Sequence, residues 1–351
     1  MQTRVIKVEE DNFREAMEEA TKLLAEGELV GIPTETVYGL AASAYSNDAV
    51  DKIFKAKGRP QDNPLIVHIS DMDMIDKVAV DIPEKAYELA EKFWPGPLTM
   101  ILPKSDLVPP ETSGGLSTVA VRMPSHPVAN ALLRSTRVPI AAPSANLSGR
   151  PSPTKVSHVI EDMDGRIDAI VDGGDVGIGL ESTIVDLSQE VPVLLRPGYI
   201  TVEMLSAELG EVLVDPAITR EAIIHHKTVT GAPKAPGMKY RHYAPRAPLT
   251  VVYGEPVRVA EAISRAADEK TAVIAPEEHV PLYTRGMVLP VGRLSDPESI
   301  ARALFDVLRE CDTLQAERIY AEDLTASDIG GAVMNRLLKA AGGSFISEKD
   351  L

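Results

Sequence analysis

Four polar strings concentrate the side chains able to do chemistry. The first is Pro33-Thr34-Glu35-Thr36-Val37-Tyr38-Gly39-Leu40. The second is Lys57-Gly58-Arg59-Pro60, with Asn63, Pro64 and His68 just beyond. The third is Pro143-Ser144-Ala145-Asn146-Leu147-Ser148-Gly149, followed by Ser152. The fourth is Glu181-Ser182-Thr183, followed by Arg196-Pro197-Gly198. Cations, hydroxyls and amides collected in this way suit a phosphorylated ligand. Arginine forks match phosphate oxygens bidentately and lysine supplies a point charge. Hydroxyls and exposed backbone N–H groups complete such a cradle. The same residues also fit a solvated helix end (Lys57, Arg59) and turn-forming Ser and Thr, and residue type alone leaves both readings open.

The elements that must position these strings alternate between helical and extended patterns. Phe13, Met17, Ala20, Leu23 and Leu24 have helical spacing, and a strand follows at 29–33. Ser46 or Asn47 is placed to cap a helix that runs to Lys57 and stops at Gly58 and Pro60. Further strands are predicted at 65–69, 98–102, 118–122, 139–142, 169–171, 183–187 and 193–195. Helices are predicted near 83–93, 126–133 and 154–160. The four strings fall at the ends of such strands. This pattern predicts an α/β fold whose N-terminal domain (1–210) carries one central mixed, twisted sheet. A basic, Pro-rich segment follows at 211–247. Its Pro233, Pro236 and Pro245, with Gly231 and Gly237 and with Pro248 just beyond, rule out a continuous helix or central strand. Strands joined by helices then resume over 248–351, predicting a small, mainly parallel sheet.

Composition narrows the class. The 351 residues include 36 Lys and Arg against 52 Asp and Glu, a net charge of −16. Such an acidic chain has no global basic field for nucleic acid. Two stretches nevertheless lack acids: 112–160 holds Arg122, Arg134, Arg137, Arg150 and Lys155, and 222–254 holds Lys227, Lys234, Lys239, Arg241 and Arg246. Local cationic segments in an acidic chain fit a small anionic ligand. The single cysteine, Cys311, excludes an intrachain disulfide and a Cys-cluster metal site, and its helical context predicts a buried position. No apolar run reaches the ~18 residues of a membrane span, and the first ten residues lack a signal-peptide pattern, so a cytoplasmic location is expected. The chain contains no P-loop, no G-x-G-x-x-G, no H-E-x-x-H and no G-x-S-x-G. His225 and His226 adjoin, but neighbours at i,i+1 on a helix do not face one another.

The ordered strings PTETVYGL (33–40), IFKAKGRP (53–60), NPLIVH (63–68), VAVRMP (119–124), APSANLSG (142–149), GLESTIVD (179–186) and LLRPG (194–198) resemble the YrdC-like threonylcarbamoyl-AMP synthase family. APGMKYRHYAP (235–245), with the α/β region after it, is similar to the longer two-domain form. The resemblance implies formation of threonylcarbamoyl-AMP and pyrophosphate from L-threonine, bicarbonate or CO2, and ATP, with Mg2+ accompanying the ATP. The product would pass to a tRNA threonylcarbamoyl transferase complex. No membrane association and no stable nucleic-acid binding are implied.

By matching position, Lys57 and Arg59 are expected to face the triphosphate and act in catalysis. The resemblance further implies ATP contacts from Asn63, Thr118, Ser144, Asn146, Ser152 and Arg196, with Tyr240 and His242 from a linker that folds back as a lid. Thr36, His68, Arg122, the backbone of Ala142, and Ser182 are expected around threonine, with Arg122 as the carboxylate clamp. No protein metal ligand is implied, and Glu35 is not expected on ATP because its charge opposes the phosphates. One alternative is an RNA-binding module without its own catalysis. The net charge, and the lack of aromatics interleaved among the cations from Arg122 to Lys155, count against it. A hydrogenase-maturation carbamoyltransferase carries zinc fingers, which one cysteine cannot supply.

Overall fold

The helix that delivers the second string shows how local sequence sets the frame. Ser46 caps it, its hydroxyl accepting from the Ala49 N–H at 3.2 Å. The helix runs Asn47–Lys57, buries Val50, Ile53 and Phe54 against the sheet, and ends at Gly58, whose φ of 63° suits glycine. In this computed structural model, residues 2–225, 233–236, 242–325 and 329–351 are described.

Among the described residues, eleven strands form one mixed sheet. Its order is Arg4–Lys7, Ala169–Asp172, Val30–Ile32, Gly39–Ser43, Ile140–Ala141, Ile66–His68, Thr118–Arg122, Leu98–Pro103, Thr183–Asp186, Val193–Arg196 and Leu213–Val214. Parallel pairs such as His68 beside Arg122 alternate with antiparallel ones such as Thr99 beside Arg122. That register brings His68, Thr99 and Arg122 abreast at one end of three adjacent strands. Helices and loops cover a core that includes Leu40, Ile53, Val67, Leu98 and Val121, each at most 1% exposed.

The second sheet is parallel throughout, in the order Met287–Pro290, Thr271–Ala275, Arg318–Glu322, Leu249–Tyr253 and Phe345–Ser347. The helices Pro256–Ala266, Pro297–Thr313 and Gly330–Ala340 make its crossovers. Cys311 is buried in the second of these helices, as its context predicts.

The segment read as linker is not uniform. Leu213–Val214 adds a strand to the large sheet beside Val193–Leu194, and the short helix Arg220–Ile224 lays Ile223 and Ile224 against the C-terminal core. Part of the lid stretch, including Gly237, Met238, Lys239, Tyr240 and Arg241, lies outside the described residues.

The two domains share a seam. The C-terminal core takes in Val37, Leu180 and Tyr243. Gly179 has a φ of +84°, and a Cβ there would stand 2.5 Å from the Arg302 Cα, so the helix Pro297–Thr313 approaches as closely as glycine allows. Ion pairs flank this contact. Arg309, 3% exposed, reaches Asp162 at 2.8 Å and Glu161 at 3.0 Å. Lys155 and His158 both meet Asp306, at 2.7 and 3.1 Å. No helix among the described residues is long and apolar enough to cross a membrane.

Candidate active site

The four strings converge on one pocket. Thr36, His68, Arg122, Ala142 and Ser182 line it, and so do Arg59, Ser144, Asn146, Ser152, Arg196 and His242. Thus every residue expected around threonine, and most of those expected around ATP, share a single cavity wall. The returning linker contributes Pro236, His242 and Tyr243, and the Ala244 N–H donates to the Gly149 carbonyl at 2.8 Å.

Three of the expected residues stand apart from this lining. Lys57 does not sit on a solvated helix end. It is 3% exposed, with its ammonium donating to the carbonyls of Asn146, at 2.6 Å, and Ser144. It braces the third string from behind, and burial, followed by the charge of Arg59, lowers its pKa well below the ordinary lysine value. Asn63 is buried outside the pocket, and its carbonyl accepts from Arg59 Nε at 3.3 Å. Thr118 starts the strand that ends at Arg122; four residues of strand carry it about 13 Å from the clamp, and it is absent from the pocket lining. Tyr240 lies outside the described residues.

At the threonine end, Arg122 is 4% exposed. Its Nη1 donates to Thr36 Oγ1 at 2.8 Å and its Nε to the Gly96 carbonyl at 3.3 Å. Its Nη2 lies 2.6 Å from Glu35 Oε1, although neither Glu35 oxygen has an aligned hydrogen bond among the described residues. Glu35 comes from a neighbouring cleft and does not line the pocket. Burial pushes its carboxyl up, but the Arg122 cation beside it, with nearby backbone N–H groups, outweighs that and holds it below the ordinary value. His68 faces the Ile66 carbonyl through Nδ1 at 3.3 Å. A carbonyl only accepts, so Nδ1 carries the proton and Nε2 is left as an acceptor.

At the other end the pocket is cationic. Arg196, its guanidinium on the Ser182 carbonyl and hydroxyl at 2.9 and 3.0 Å, is lowered to about 10 by burial. His242 is lowered to about 3 by burial and then by Arg59 and Lys339. Lys339, from the C-terminal domain, is lowered to about 7 by burial and then by Arg336 and Arg196. Burial is the first cause of each shift, and the neighbouring cations add to it while Glu181, on the same wall, works against it. Arg336 and Lys339 were invisible to motif reading, since the C-terminal helix pattern singled out neither. Among the described residues no three His, Cys, Asp or Glu side chains converge to hold a metal ion.

The two neutral histidines make a pH prediction. His68 and His242 sit near 3 when folded and near 6.5 when unfolded. Between those values the unfolded chain binds protons that the folded chain does not, so their contribution is complete above pH 6.5 and is lost as pH falls. Each is expected to withdraw about 1–2 kcal/mol between pH 7 and 5. Urea midpoints at the two pH values check this. A slope unchanged in a His68→Gln, His242→Gln double variant would contradict it.

The family model described as telomere recombination matches residues 22–198, and that of the threonylcarbamoyl-AMP synthase C-terminal domain matches 200–342. The threonylcarbamoyl-AMP synthase of Bacillus subtilis (strain 168) is 48% identical over 331 residues, covering 93% of each chain. That of Pyrococcus abyssi is 48% identical over 342 residues, covering 94% of this chain and 97% of its own. This chain belongs to the threonylcarbamoyl-AMP synthase family. The structure of Pyrococcus abyssi Sua5 complexed with L-threonine agrees in fold across both domains, with a TM-score of 0.91 at 46% identity and coverage of 98% of this chain and 99% of that one. The chain is thus a two-domain threonylcarbamoyl-AMP synthase, an enzyme of the nucleotidyltransferase type.

Proposed function

We propose that this pocket joins L-threonine, bicarbonate or CO2, and ATP, releasing pyrophosphate. The observation that carries the reading is one cavity with a buried guanidinium, Arg122, at one end and the cationic group of Arg59, Arg196 and His242 at the other. Arg122 takes the threonine carboxylate, fixing orientation as well as charge. Thr36 and the Nε2 of His68 meet the side-chain hydroxyl, while Ser182 and the Ala142 backbone meet the amine. Ser144, Asn146 and Ser152 hold the nucleotide, and Arg59 and Arg196 face its phosphates.

The free amine of threonine attacks the carbon of CO2, giving a carbamate and a proton, or that of bicarbonate, giving a carbamate and water. A carbamate oxygen then attacks the α-phosphorus in line, the bond to the β-phosphate oxygen breaks, and pyrophosphate leaves. Positioning and charge neutralisation supply most of the acceleration in such chemistry, which is why the strings hold cations, amides and hydroxyls. Mg2+ belongs to this reading as the companion of the ATP triphosphate, arriving with the substrate. The segment 231–246 serves as a lid that keeps water from the mixed anhydride; Pro236, His242 and Tyr243 on the pocket wall support this. The product is consumed by a tRNA-modifying transferase, and the enzyme works in the cytoplasm without membrane or stable nucleic-acid binding.

The test is incubation with α-labelled ATP, threonine and bicarbonate in the absence of RNA. A threonine-dependent AMP-containing product with equimolar pyrophosphate is expected. Release of ADP and phosphate would overturn the proposal.

A further inference from the structure

Glu181 stands where the pocket meets the C-terminal domain. It is 7% exposed and each of its carboxylate oxygens has a different partner. Oε1 accepts from the Ser152 hydroxyl at 2.5 Å, and Oε2 accepts from Arg336 Nε at 2.9 Å. Arg336 is wholly buried on the C-terminal helix Gly330–Ala340, 155 positions along the chain. Its Nη2 donates to the Glu181 backbone carbonyl at 3.4 Å and its Nη1 to Asn335 Oδ1 at 3.2 Å. The guanidinium carbon lies 5.8 Å from the centre of the Tyr243 ring. Tyr243 itself holds a φ of +64°, a conformation that bulky side chains keep only where surroundings impose it. Its ring is fixed against Phe305 of the C-terminal domain at 5.2 Å.

We propose that Arg336 is a positioning residue of the catalytic pocket: through Glu181 it fixes Ser152, and through the face of Tyr243 it seats the end of the lid. The C-terminal domain is then part of the active site's construction. A glutamate held by one guanidinium at a side-chain oxygen and at its backbone carbonyl is fixed in orientation, and so is the Ser152 hydroxyl bonded to its other carboxylate oxygen. This inference rests on the reading that places ATP against Ser152.

The experiment measures steady-state kinetics and threonine affinity in the full-length chain. Arg336→Met is expected to raise the KM for ATP about tenfold through misplacement of Ser152, while kcat and the threonine Kd move far less. Arg336→Lys, which keeps the charge, should recover part of the loss. Ser152→Ala alone should raise the ATP KM, and adding it to Arg336→Met should change little, since both act through one link. Glu181→Gln with Arg336→Met removes both buried charges and so keeps the variant folded if Arg336→Met alone does not fold. A folded Arg336 variant with the parental ATP KM, or full additivity with Ser152→Ala, overturns the inference. A parental KM in Ser152→Ala overturns instead the placement of ATP on which it rests.

Discussion

Arg122→Ala is expected to bind L-threonine at least about thirtyfold more weakly than the parent, because removing one partner of a desolvated charge pair costs on the order of 2–5 kcal/mol. ATP affinity should stay within about twofold, since distant sites without shared partners are nearly additive. The substitution also strands Glu35, whose buried carboxylate loses the cation 2.6 Å away. Its pKa must rise, so part of any stability loss belongs to Glu35 and not to the threonine site. The pair Glu35→Gln with Arg122→Met leaves no lone charge and separates the two effects. Calorimetry on both proteins checks the expectation. Equal weakening of ATP and threonine in the neutral pair would mean that Arg122 is a structural residue.

Arg59→Ala and Lys57→Ala should fail in opposite ways. Arg59 lines the pocket and makes local bonds to the carbonyls of Asn63 and Pro64. Its removal should lower turnover about a hundredfold or more by withdrawing a cation from developing phosphate charge, with about 1 kcal/mol of stability lost. Lys57 is buried behind the pocket wall, and its loss leaves the Ser144 and Asn146 carbonyls without their donor. A cost of about 1–3 kcal/mol is expected, lowering Tm by about 2–4 °C for each kcal/mol in a domain of this size. Thermal melting beside steady-state rates separates the two. Near-parental turnover in Arg59→Ala would remove Arg59 from the reaction.

How much of this was legible follows from the range of each interaction. Strands rich in Val, Ile and Leu, such as Leu98–Pro103, announce themselves, as does the Ser46-capped helix. The strand Gly39–Ser43 does not: its sequence GLAAS has neither alternation nor β-branching. Arg4–Lys7 and Leu213–Val214 are too short and exposed to stand out. The pocket's motif residues were readable because each belongs to a local string. The burial of Lys57 was missed because its position after an exposed helical face gives no sign of the carbonyls that surround it. Thr118 was carried in by resemblance, since nothing local marks it; it starts the strand whose other end, about 13 Å away, carries Arg122. Glu35 against Arg122 and Glu181 against Arg336 are pairings across 87 and 155 positions, which no local pattern encodes.

The sheet order also has a consequence for how the protein is made. Arg4 pairs with Ala169, 165 positions later. At about 5–20 residues per second, the first strand leaves the ribosome roughly ten to thirty seconds before its partner is translated. A similar delay, over 155 positions, separates Glu181 from Arg336. A nascent chain can therefore assemble its large sheet well before Arg336, which anchors the Glu181 carboxylate, has been made.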